Sequence, residues 1–280
     1  MGNKVIDIPI YKIREIARHA LKNNWKKVVA GIFIYFLLTD AVGAFLDYFF
    51  AYEYPVELYD GTISSTKIGF GGSLYSLILG GPLQFGLAMF VLTFFRTRKS
   101  DYTLLLEGFS NFSRTFTLAL LIGIKTLLWS LLFVIPGIIA AYKYSQSYYL
   151  LVENPTWTPS QCIRESCRIM EGNKATLFVL ELSFIGWGLL ASIPEFIYMV
   201  VVGADAALNA GTLGGIITDI LLRLPGLFVT AYTLVSYTAF YDLITGRLVA
   251  INDYEPENVV HAEYTVEENP QTEETDFHEE

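Results

Sequence analysis

The sequence predicts an all-α fold, a polytopic membrane helical bundle of six transmembrane helices with cytoplasmic amphipathic helices. Three observations carry that expectation. Apolar runs of about 20 residues recur along the chain, the length that crosses a hydrocarbon layer of about 30 Å. Only 17% of the 280 residues are charged while 53% are hydrophobic, against roughly 25% charged in an ordinary soluble domain. Lys and Arg alternate in density from one inter-span segment to the next, as they do when successive loops face opposite sides of a membrane.

Residues 8–27 form the first element. Ile10, Ile13, Ala17, Ala20 and Leu21 fall on one helical face and Lys12, Arg14, Arg18, Lys22 and Lys26 largely on the other. Pro9 suits a first helical turn. Residues 1–27 therefore read as a cytoplasmic interfacial helix on an anionic leaflet, with a helix packed on other cytoplasmic parts as the alternative. Span one covers about 28–47. No cleavable signal peptide precedes it, because the first apolar run begins only at Val28 and no small-residue cleavage site follows a short core. Residues 51–72, with Pro55, four Gly and three acids, read as an external loop. Span two, 74–95, is interrupted at Gly80-Gly81-Pro82 and closed by Arg96-Thr97-Arg98-Lys99. Ser100-Asp101 can cap a short helix over 102–112.

The most apolar stretch, 116–152, reads as a hairpin of spans three (116–135) and four (136–152) turning at Pro136-Gly137. Thr158-Pro159-Ser160-Gln161 matches a capped helix start, with Thr as cap, Pro in the first turn and Gln closing a capping box. Cys162, Ile163, Ser166, Cys167 and Met170 form the apolar stripe of that helix, and Gly172 ends it. Span five covers 174–193, an external stretch 194–224, and span six 225–245. Residues 246–280 hold eleven acids and one base, Arg247. With little periodicity, they read as an acidic, disordered cytoplasmic tail. The formal charge of −9 thus belongs to the tail and not to a binding face.

Fifteen Lys and Arg fall in the segments assigned to the cytoplasm, against Lys67 and Arg223 on the other side. That places both termini in the cytoplasm. Three helix–span–Pro/Gly–span units are legible, the descending spans carrying Gly81-Pro82, Pro136-Gly137 and Pro225-Gly226. Duplication explains them, and so does the common layout of membrane hairpins.

Gly80–Arg96, Leu127–Pro155, Leu177–Leu190 and the N-terminal IREIARHALKNNW resemble the bacterial integral membrane family catalogued as Domain of Unknown Function 975. The resemblance runs over about residues 13–246. It implies a six-span protein of the bacterial plasma membrane, largely of Gram-positive type. It implies no activity, cofactor or catalytic residue.

Ionisable groups inside a membrane are costly and mark candidate sites. Asp40, Lys125, Lys143 and Glu181 are such groups, and depth allows Asp40 to pair with Lys125 or Lys143, as a functional site or as a register-fixing pair. Spans four and six are polar, with Tyr144, Gln146 and Tyr148 on the former, and either line a solute site or bond helix to helix. Enzyme chemistry is not expected. His19, His261 and His278 lie outside the spans, Cys162 and Cys167 read as packing residues, and no GxSxG, HExxH or phosphate loop is present. No catalytic, metal or cofactor residue is named, and two cysteines exclude a disulfide framework. The expected partners are the lipid bilayer and other membrane proteins, not nucleic acid, since no basic groove is interleaved with aromatics. Two function classes follow. One is an envelope-associated scaffold or accessory protein. The other is a transporter or lipid-handling protein with a polar site between spans four and six.

Overall fold

The computed structural model of the chain describes residues 5–57, 63–203 and 213–248. The expected acidic tail lies outside the described residues apart from its first three positions. Helix α1 (Ile10–Leu21) leads into a long kinked helix made of α2 (Trp25–Phe36), a π-turn (Leu37–Ala41) and α3 (Val42–Phe49). After a two-stranded ribbon, β1 (Ala51–Glu57) with β2 (Ile63–Gly69), comes α4 (Gly71–Thr97). A 3₁₀ helix (Tyr102–Phe109) connects it to α5 (Phe112–Leu132), α6 (Val134–Tyr144) and α7 (Ser147–Glu153). The chain closes with α8 (Pro159–Ile169), α9 (Lys174–Ala191), α10 (Ile193–Val202) and α11 (Leu213–Ile244).

Five helical stretches are long and apolar enough to cross a membrane: Trp25–Phe49, Gly71–Thr97, Phe112–Leu132, Lys174–Val202 and Gly214–Ile244. The chain is thus a helical bundle of multi-pass membrane type. The segment expected as span four is two shorter helices, α6 and α7, parted at Ser145-Gln146. A broken helix inside a bundle frees backbone groups that must find other partners. Here Ser166 of α8 supplies both: its hydroxyl donates to the Lys143 carbonyl at 2.7 Å and accepts the Gln146 N–H at 3.2 Å.

α4 is the central helix. Of its most apolar stretch, 61% is buried inside the protein, against 11% for α5 and α11. It lies against the 3₁₀ helix with backbone nearly touching backbone, because a Cβ on Gly86 would collide with the Leu105 carbonyl and one on Gly108 with the Pro82 carbonyl. Pro82 and Pro225 were expected to interrupt or begin descending spans. Both instead sit inside continuous helices, α4 and α11. Only Pro136 stands in a first helical turn, at α6, so the three Pro/Gly positions are not structurally equivalent.

The bundle has two unlike ends. At one, here called the polar end, the tips of α4, α7 and α11 meet and α1, α8 and the 3₁₀ helix pack around them. The buried core concentrates there, in Leu83–Phe95, Leu150, Leu151, Ile163, Met170 and Ala231–Ile244. At the other, the far end, the α5–α6 tip projects with Leu131, Phe133, Val134 and Ile135 all more than 70% exposed. In a protein with so much apolar surface, such side chains belong against hydrocarbon.

Three local expectations change. The apolar face of α1 is covered by α11 and α9 and not by lipid: Ile13, Ala17, Ala20 and Leu21 are all essentially inaccessible. That face packs instead on two of the long apolar helices. The external loop over 51–72 contains the ribbon, with Ala51 opposite Gly69. Its Tyr, Val, Ile and Thr content favours extended backbone. The stretch 194–224 is in large part helical, as α10 and the first turns of α11. The capped helix at Thr158 is present as read, with the reciprocal Thr158–Gln161 box and Gly172 at φ +82°. Asp101 caps the next short element by accepting the Thr103 N–H, and that element is 3₁₀.

Candidate functional site

Asp40 and the two lysines do not pair. Asp40 sits on the π-turn, where the wider turn leaves the Leu38 carbonyl to accept a hydrogen bond from the Tyr75 hydroxyl of α4. The Asp40 carboxylate accepts from the neighbouring Thr39 hydroxyl at 2.8 Å. Lys125 and Lys143 belong to the α5–α6 hairpin, which packs on α4 and α8. Lys125 is exposed, and the Lys143 ammonium lies 5.9 Å from the centre of the Trp129 ring. Both lysines, with Lys174, bear on the Cys167 thiol of α8. Burial nevertheless pushes that thiol above its ordinary value, and the Cys162 thiol likewise. Both cysteines are free.

Glu181 has a different set of neighbours. Its carboxylate accepts from the Tyr142 hydroxyl of α6 and from the Tyr237 hydroxyl of α11 at 2.8 Å, so three helices converge on it. Tyr144 and Gln146 are buried and Tyr148 is half-buried. The Gln146 side-chain amide donates to Ser145 at 2.8 Å, next to the helix break. Tyr149 and Thr238 share a hydrogen bond at 3.2 Å, and the Tyr149 and Tyr241 rings stack at 4.9 Å. The tyrosine hydroxyls at 142, 149 and 237 and the Thr238 hydroxyl therefore bond helix to helix, while Gln146 Oε1 and Ser147 Oγ are buried without a hydrogen-bond partner among the described residues.

A second cluster was not singled out from the sequence. Arg96 at the tip of α4 donates to Asp242 of α11 through Nε at 3.2 Å and Nη2 at 2.5 Å, and to Glu153 of α7 at 2.5 Å. Glu153 also accepts from the Tyr241 hydroxyl at 2.5 Å and pairs with Arg247 at 3.1 Å. The carboxylate side chains are only 8% and 5% exposed. Two guanidinium groups, on side chains 22% exposed in Arg96 and 45% in Arg247, thus balance two nearly buried carboxylates, as buried charges require. Nearby, Arg114 caps the carboxyl end of α7, donating to the carbonyls of Leu151 and Asn154 and to Trp157 just beyond. Cations are favoured at that helix pole. In sequence, Arg96 is one of a run of stop-transfer bases, Glu153 a loop acid and Asp242 one polar residue among many. The signal available was the placement of all three at span ends.

The third feature is a cavity of about 410 Å³. It lies between α2 with its π-turn, the α9–α10 junction and α11. Ile32, Phe36 and Leu227 give it an apolar wall, and Asp40, Glu195 and Arg223 line it with charge. Among the described residues, no three His, Cys, Asp or Glu side chains gather as metal ligands would.

Neither the curated proteins nor the solved structures contain a match to the chain. The resembling segments at 13–25 and 80–96 lie outside the residues that match the family model. Residues 130–248 match the model of the family described as "Protein of unknown function (DUF975)", so this part of the chain is similar to the family resembled by its sequence.

Proposed function

We propose that this protein is a non-catalytic accessory component of the bacterial plasma membrane, with both termini in the cytoplasm and its polar end serving as a rigid platform for other envelope proteins. The observation that carries this reading is the consumption of polar groups at that end. The Arg96–Glu153–Asp242–Arg247 cluster and the Tyr149–Thr238 contact tie α4, α7 and α11 together. A network in which every member is satisfied rigidifies a structure and offers nothing to a substrate. Around it, α8 and the turn after α1 present charge outward, with Arg164 and Lys22 exposed. That is a surface for a partner with groups of its own to pair.

The test is photo-crosslinking in native membranes from a reactive amino acid placed at Arg164 or at Lys22. A discrete adduct with another membrane or membrane-associated protein is expected from at least one position, and not from Leu131 on the apolar hairpin tip. Absence of adducts from both polar positions, at normal protein levels, would refute the platform reading.

A further inference from the structure

We propose that the cavity between α2, the α9–α10 junction and α11 binds an amphiphile with a positively charged, amine-type headgroup. The inference stands apart from the platform reading, because it concerns the other end of the molecule.

At about 410 Å³ the cavity falls in the range of small-molecule sites, roughly 300–1,000 Å³. Its walls divide by chemistry. Ile32, Phe36, Leu227 and Val229 supply hydrocarbon, while Asp40, Glu195 and Arg223 come from three separate helical segments. Arg223 is already engaged, its Nε lying 3.0 Å from Asp219 one turn earlier on α11. It thus has a carboxylate partner within its own helix. Among the described residues, Asp40 receives only the Thr39 hydroxyl. Among the described residues, neither Asp40 nor Glu195 has an ion-pair partner. The cavity thus presents two exposed carboxylates, Asp40 and Glu195, without ion-pair partners among the described residues and beside an apolar wall. Carboxylates next to hydrocarbon call for a counter-charge. A ligand that satisfies the whole lining carries a cation at one end and an alkyl body at the other.

Backbone geometry keeps the space open. Gly188 of α9 and Gly226 of α11 both line the cavity, and a Cβ built on either meets no atom within 4 Å. Neither glycine is demanded by a close helix contact or a positive φ. Each widens the cavity by the volume of a side chain. The π-turn acts in the same direction: it adds a residue to the helix turn where Asp40 stands, and such insertions re-aim side chains at functional sites.

Two sources can supply this chemistry, an aminophospholipid of the surrounding bilayer and a free alkylammonium compound. The full chain is reconstituted in nanodiscs containing phosphatidylethanolamine and phosphatidylglycerol, and bound lipid is counted by native mass spectrometry after release. In a second arm, tetradecyltrimethylammonium is titrated onto protein in a neutral detergent. Retention of phosphatidylethanolamine over phosphatidylglycerol identifies the lipid source, and saturable alkylammonium binding identifies the free one. Either result supports the site. In the positive arm, D40N/E195Q is expected to weaken binding at least tenfold. G226L, whose added Cβ meets no atom within 4 Å and whose side chain takes up space in the cavity, is expected to abolish it. Both variants are checked for an unchanged melting temperature in the absence of ligand. Equal retention of the anionic lipid, equal binding by folded G226L, or no binding in either arm would overturn the proposal.

Discussion

Replacing Arg96 with Ala should be the most damaging single change at the polar end, and the structure sets its size. Arg96 is 22% exposed and holds two carboxylates that are 8% and 5% exposed. Removing one partner of a buried pair costs about 3–5 kcal/mol, because the charge left behind has lost its compensation. Arg247 still reaches Glu153 at 3.1 Å, so the lower end of that range applies, and Asp242 bears most of the loss. At about 2–4 °C per kcal/mol for a chain of this size, the melting temperature should fall by roughly 6–12 °C. The two free cysteines, Cys162 and Cys167, give the assay. A thiol-reactive dye that fluoresces on coupling reports unfolding of detergent-purified protein. Arg223→Ala is the control. Its pair with Asp219 is about half exposed on both sides, and an exposed pair contributes at most about 1 kcal/mol. The triple variant Arg96→Met/Asp242→Asn/Glu153→Gln should recover much of the loss, since it leaves no buried charge from the pairs it removes. A fall of less than 2 °C for Arg96→Ala, or an equal fall for Arg223→Ala, would refute the assignment of Arg96 as the lock.

Gly86→Ala and Gly108→Ala should each destabilise by about 1–3 kcal/mol through overpacking against a backbone carbonyl, whereas Gly123→Ala, which has open space around it, should be neutral in the same melt. Ser166→Ala removes the hydroxyl that serves both sides of the α6–α7 break and leaves the Gln146 N–H unpaired in a buried setting; a loss of about 1–3 kcal/mol is expected, and an unchanged melting temperature would mean the break is held by something else. The Glu165 carboxyl is held below its ordinary value of 4.5, chiefly by its hydrogen bond to Arg168. A depressed folded-state value means the pair stabilises above the unfolded value and stops doing so as pH falls through the folded one. The small difference in melting temperature between wild type and Glu165→Gln should therefore shrink between pH 5 and pH 3, and a difference that grows on acidification would reverse the sign.

Long apolar runs, the capped start of α8 and the stop at Gly172 were readable because each rests on local chemistry: hydropathy, a side-chain cap, a left-handed backbone position. The failures are tertiary. Pro82 and Pro225 look like helix breakers, and neighbouring helices absorb them in the middle of α4 and α11. The face of α1 looks like a lipid-binding stripe, and an apolar stripe cannot declare whether lipid or another helix will cover it. Span four reads as one run, yet it breaks at Ser145-Gln146 because Ser166, twenty residues away, can satisfy the freed groups. The candidate charges fared in the same way. Intramembrane position flagged Asp40 and Glu181 without revealing their neighbours: Asp40 faces a cavity shared with Glu195, and Glu181 is clasped by two tyrosines. Arg96, Glu153 and Asp242 stand 57 and 89 residues apart along the chain, and only the helix ends bring them together.

The most direct test of this account is the sidedness of the two ends. Single cysteines at Tyr52, Lys99 and Thr156, all exposed, are introduced after Cys162 and Cys167 are replaced by Ala. Sealed right-side-out vesicles are then treated with a membrane-impermeant maleimide. Position 52 should label at once, and positions 99 and 156 only after the membrane is opened. Labelling of all three from the same side would contradict a bundle whose polar and far ends lie on opposite faces of the membrane.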